Sequence, residues 1–77
     1  MLEISWVSLV SGSPLISKSI RDAEVRTKTG ASIVGIIREK EFHSNPKSDY
    51  SLREGDLVAV VGNQQERNDF KKLAGVY

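Results

Sequence analysis

"SIVGIIREKEFHSNP", residues 32–46, decides how the rest of the chain is read. Its first half is apolar at Ile33, Val34, Ile36 and Ile37. Successive side chains of a strand point to opposite faces, so a strand over 32–39 is apolar on both. "DLVAVVG", residues 56–62, is a second run of this kind. Two such strands in one sheet ask for cover on both sides, and 77 residues have little to offer. A chain of that length buries only about 60% of its extended surface.

Working outward, "KEFHS" (40–44) reads as a strand returning beside the first after a tight turn near Glu39 to Glu41. Asn45-Pro46 opens a loop, "NPKSDYSLREGD", because proline cannot donate to a ladder. Upstream, Ser19 with Asp22 three residues on is a capping pair. Ile16, Ile20, Ala23 and Thr27 fall on one helical stripe. Gly30 suits a left-handed cap, and Lys28 complements the helix dipole. A helix over Ser19 to Thr29 follows. "ISWVSLV" (4–10) reads as a first strand, broken by Ser11 to Pro14. At the other end an Asn63/Glu66 capping pair starts a last helix that stops at Gly75, with Phe70, Leu73 and Ala74 as its apolar edge.

The expected fold is α+β, in the order β-α-β-β-β-α: a small mixed sheet of three to four strands with two helices, one domain over 1–77. The helices cover one face. Leaving Val34, Ile36, Val58 and Val60 in water forfeits about 1.5–3 kcal/mol per side chain. The simplest remedy is a second copy related by a two-fold axis, or a docking face on a parent protein.

Composition narrows the function. Eleven basic against ten acidic residues, net +1, is not the basic footprint of a nucleic-acid binder, and only five aromatics are present. No apolar run approaches the roughly 20 residues of a membrane span. "MLEISWVSLV" lacks the basic start and small-residue cleavage pattern of a signal peptide. No cysteine is present, which excludes thiolate zinc and disulfides and fits a reducing cytoplasm. His43 stands alone as the only histidine and reads as an ordinary strand residue rather than a metal ligand. Asp22, Glu24, Asp49, Glu54 and Asp56 do not follow a calcium-loop spacing. No nucleophile elbow, triad or catalytic carboxylate pair stands out, so no enzyme is expected. No cofactor is expected either, since the glycine-rich dinucleotide fingerprint is absent.

"GSPLISKSIRDAEVRTKTGASIVGIIR" followed by "LREGDLVAVVG", with an Asn-Pro between them, resembles the TrkA-C domain, the C-terminal domain of RCK regulators. The resemblance runs from Ile4 to Leu73, and the order and spacing of its pieces are more specific than any one piece. It implies a regulatory homodimer attached to a membrane-embedded potassium channel, uptake system or other cation transporter, at the cytoplasmic side. It also implies a small effector, in several branches cyclic di-AMP held at the two-fold axis.

The same resemblance points to site residues. Glu24-Val25-Arg26 matches an acidic-x-Arg pair in which the acid accepts from an adenine amine and the arginine reaches a phosphate. Glutamate stands here where aspartate is commoner, one methylene longer. Asp22/Arg26 also has the spacing of an ordinary helical ion pair. Ile20 and Ile33 would face the purines, although core packing alone accounts for such residues. Ser32 would bond an adenine edge, and Asn45 with Pro46 would close the pocket, where a rigid turn is the plainer role. The rival reading is a ligand-free dimerisation module.

Overall fold

The computed structural model describes residues 3–76, so Met1, Leu2 and Tyr77 of the expected domain lie outside it. Seven elements follow in order: β1 (Glu3–Ser8), α1 (Ile20–Ala23), α2 (Val25–Thr29), β2 (Ser32–Arg38), β3 (Glu41–Ser44), β4 (Leu57–Gly62) and α3 (Gln64–Leu73). The four strands form one sheet in the order β1-β4-β2-β3.

Every strand pair is antiparallel, which corrects the expected mixed sheet. A β-α-β start suggests a parallel neighbour pair. Here β4 inserts between β1 and β2 and runs against both, so the two strands never touch. The β2–β3 turn is as tight as expected: Glu39 and Lys40 both take left-handed backbone (φ 52° and 67°), the twist that hairpin turns require.

The expected single helix from Ser19 to Thr29 is two helices. Glu24 sits at φ 51°, ψ 43° and ends α1 before α2 starts. The start of α1 is tied to the long loop: Ile20 N–H bonds Tyr50 O (3.0 Å), Arg21 N–H bonds Ser48 O (2.8 Å), and Ser19 bridges Ser51. These bonds use first-turn N–H groups that a helix leaves free. The buried face shifts accordingly. Ala23 keeps its place, but Val25 and Thr29 are buried and Thr27, the last member of the expected stripe, is exposed. The Asp22/Arg26 pair is not formed, since the break between them abolishes helical spacing. Glu24 pairs loosely with Lys28 instead (3.7 Å). The caps stand as read: Ser19 Oγ accepts from Asp22 N–H, Gly30 is left-handed at φ 80°, and Asn63 and Glu66 form a reciprocal capping box.

The sheet's two faces also differ from expectation. Ile36, Val58 and Val60 are fully buried beneath the helices with Val7, Leu9 and Phe70, so a lone chain does shield one side. A bulge sets the pattern. Between Ile33 and Gly35 the register shifts by one residue, so Ile33 and Ile36, three apart, both lie opposite buried positions of β4, Val60 and Val58. Val34, the extra residue, stays partly exposed as expected.

The other face is open. Ile4, Trp6 and Phe42 are each at least half exposed there. The Trp6 and Phe42 rings, 6.4 Å apart, arch over the middle of the sheet. Gly35 makes this possible, because a Cβ on it would lie 2.5 Å from the Phe42 ring. Opposite Gly35 and Trp6, Ala59 is only 2% exposed, so the two rings screen it from water.

Candidate functional site

The turn at Glu24 borders a cleft of about 430 Å3 between α1–α2, the start of β2 and the loop after β3. Along one wall α1 supplies Ile20 and Arg21, and the left-handed turn supplies Glu24. Arg26, on the first turn of α2, follows from the same wall. Ser32, Ile33 and the bulged Val34 line its sheet side. Asn45, Pro46 and Ser48 line it from the loop.

Backbone hydrogen bonds hold these walls in place. Asn45, itself left-handed at φ 50°, donates its N–H to Val34 O at 2.8 Å and ties the loop to the bulge. Thr29 Oγ1 donates to Val25 O (2.7 Å) and accepts from Ala31 N–H (3.0 Å), fixing the exit of α2 into β2. Glu66 fills the niche behind this exit: a Cβ on Gly30 or Gly62 would press against its carboxylate.

All seven residues singled out from the sequence line this cleft: Ile20, Glu24, Arg26, Ser32, Ile33, Asn45 and Pro46. They come from three separate stretches of chain. Ile20 and Ile33 are only partly buried and pack against the edge of the core. Each therefore serves the core and keeps surface toward the cleft. Arg21 and Ser48 were not singled out, and both belong to the cleft. No spacing rule marks them, because they meet across 27 residues of sequence.

Charge is uneven among the arginines. Arg38 is locked to buried Asp56 (Nε–Oδ1 2.8 Å, Nη2–Oδ2 2.6 Å) and also bonds Ser51 O. The Asp56 hydrogen bond raises its pKa above the ordinary arginine value. Arg67 bonds Ser5 Oγ and Gly62 O and pairs with Glu3. Arg21 and Arg26 have no carboxylate partner among the described residues, and both open into the cleft. With Glu24, they leave it one net positive charge. Its apolar surface and net positive charge are complementary to a ligand with apolar faces and an anionic edge.

His43, a β3 residue, does not line the cleft, and its ring lies tilted against that of Tyr50 with centroids 5.9 Å apart. Among the described residues no group of three potential ligands could hold a metal ion. No helix among them is long and apolar enough to cross a membrane.

The family model of the TrkA-C domain matches residues 4–75. The chain belongs to the TrkA-C family. This TrkA-C domain is 41% identical over 72 residues to probable potassium channel protein 2 of Methanocaldococcus jannaschii, covering 94% of the chain and 21% of the channel. Among solved structures it is similar to the RCK_C domain dimer of S. agalactiae BusR in complex with c-di-AMP. That match has a TM-score of 0.87 and 26% identity, covering 94% of this chain and 95% of that one. It is similar too to the RCK C domain of the potassium transport protein KtrA in complex with the same dinucleotide. There the TM-score is 0.83 and the identity 28%, with 92% and 81% covered. The TrkA-C domain thus spans about a fifth of the length of that channel relative.

Proposed function

We propose that this TrkA-C domain is a small-effector-binding regulatory module of a potassium or other cation transport system, working at the cytoplasmic face of the transporter. We infer that the effector is cyclic di-AMP, held between two protomers at a two-fold axis, and that the domain performs no catalysis of its own. The observation that carries this reading is the convergence of an acid, unpaired arginines and partly buried isoleucines in one cleft. Two neighbours of the same fold are described as complexes with this dinucleotide, one of them as a dimer.

The mechanism is linkage. In a symmetric pair each cleft residue occurs twice, so two copies of Arg26 meet the two phosphates. Ile20, Ile33 and Pro46 offer apolar surface to the adenines. Glu24 accepts from an adenine amine. A ligand that contacts both protomers favours the arrangement in which both can reach it, and shifts the population toward it. That shift is what a transporter would sense.

The open sheet face with Ile4, Trp6 and Phe42 favours a second reading, a ligand-free assembly module that docks through that face. Titration calorimetry with cyclic di-AMP decides between them. The proposed function predicts binding by the native chain and its loss in Arg26→Ala. No heat with the native chain would leave the assembly reading standing.

A further inference from the structure

Five arginines occur in the chain, and among the described residues it is Arg38 and Arg67 that form ion pairs. Arg21 and Arg26 share a concavity in which two like charges repel, and among the described residues neither is ion-paired to a carboxylate, Glu24 included. Among the described residues Arg21's one side-chain hydrogen bond is from Nη2 to Ser48 Oγ of the neighbouring loop at 3.3 Å. That is well beyond the roughly 2.7–2.9 Å of a strong charge-assisted bond, so it holds the guanidinium weakly. The Arg21 backbone, by contrast, is firmly anchored through its N–H to Ser48 O at 2.8 Å. The arrangement is a fixed base with a loosely tethered cationic tip.

We propose that Arg21 is a second anion-binding residue of the cleft, leaving Ser48 to take a phosphate oxygen of the dinucleotide that Arg26 also holds. The inference rests on the cyclic di-AMP reading above and adds a specificity rule to it. Two arginines and one glutamate give each protomer's cleft one net positive charge, and a pair of protomers two. That balances the two phosphate charges of a cyclic dinucleotide. A mononucleotide, reaching one protomer's cleft only, would leave half the arginines unpaired.

The test is titration calorimetry of the full chain with cyclic di-AMP at low and moderate salt, with thermal unfolding run on each variant. Arg21→Gln is expected to bind about tenfold more weakly, with a smaller loss of affinity on adding salt than the native chain shows. Ser48→Ala is expected to weaken binding less than Arg21→Gln does, because a neutral hydroxyl at 3.3 Å holds the guanidinium only weakly. Arg21 is exposed, so its unfolding midpoint should hold. Native affinity in Arg21→Gln alongside lost binding in Arg26→Ala overturns this inference and leaves the cyclic di-AMP reading intact. Equal weakening by Ser48→Ala and Arg21→Gln also overturns it, since Arg21 would then act only by holding the loop. Absence of binding by the native chain overturns the cyclic di-AMP reading itself.

Discussion

Arg38 on β2 and Asp56 at the threshold of β4 form a two-pronged ion pair, and the Asp56 carboxylate is almost wholly buried (1% exposed). Arg53 N–H donates to the same carboxylate at 2.9 Å. The pair pins the long loop to the sheet, because Arg38 also bonds Ser51 O. Removing the cation strands a buried anion. Arg38→Met should therefore cost about 3–5 kcal/mol by urea unfolding. Asp56→Asn, which leaves a partly exposed arginine free to reach water, should cost less. The reverse order would mean the carboxylate has other support.

Tyr50 lies beneath this pair, with the Arg38 guanidinium 4.7 Å from its ring centre. Its hydroxyl is buried without a hydrogen-bond partner among the described residues. A buried, unmade hydrogen bond costs about 1–3 kcal/mol. Tyr50→Phe keeps the ring and removes the stranded group, so stability should hold or rise by about 1 kcal/mol. A loss of that size in thermal or urea unfolding would show that the hydroxyl has a partner.

Gly35 and Phe42 make a prediction about the open face. Gly35→Ala pushes the Phe42 ring away from the sheet, yet the ring is exposed and free to swing. The net change in stability should stay within about 1 kcal/mol. Trp6 is the only tryptophan, so the displaced ring should appear as a red shift of its emission. In a Phe42→Ala background the same glycine change should leave the emission unmoved. A shift of equal size in both backgrounds would place the contact elsewhere.

Much of this architecture was legible locally. Ser19, Gly30, Asn63 and Glu66 mark helix ends by chemistry that acts within four residues. The seven cleft residues were reached by resemblance in motif order, and the fold brings them together. What was not legible depends on distant partners. Nothing in the neighbourhood of Glu24 announces a left-handed residue, and the loop carbonyls that anchor α1, Tyr50 O on Ile20 and Ser48 O on Arg21, come from 30 and 27 residues further along the chain. The burial of Ile36 follows from a bulge at Val34, and one inserted residue reverses which face each side chain takes. The antiparallel sheet depends on β4 slipping between β1 and β2, a choice of neighbour that no single strand encodes.

Glu24 itself separates backbone from side chain. A non-glycine residue in the left-handed region carries a cost of order 1 kcal/mol, which glycine avoids. Its loose pair with Lys28 is half exposed and contributes little. Glu24→Gly should thus unfold within about 1 kcal/mol of native, or slightly later, while losing affinity for cyclic di-AMP. Unchanged affinity would remove the carboxylate from the site. A large loss of stability would mean the carboxylate supports the turn.

The stoichiometry of cyclic di-AMP binding tests the shared-cleft account most directly. Titration calorimetry, with sedimentation of the same sample, should show one dinucleotide bound per two chains and a ligand-dependent rise in the dimer fraction. One dinucleotide per chain on a species that stays monomeric throughout the titration would contradict it.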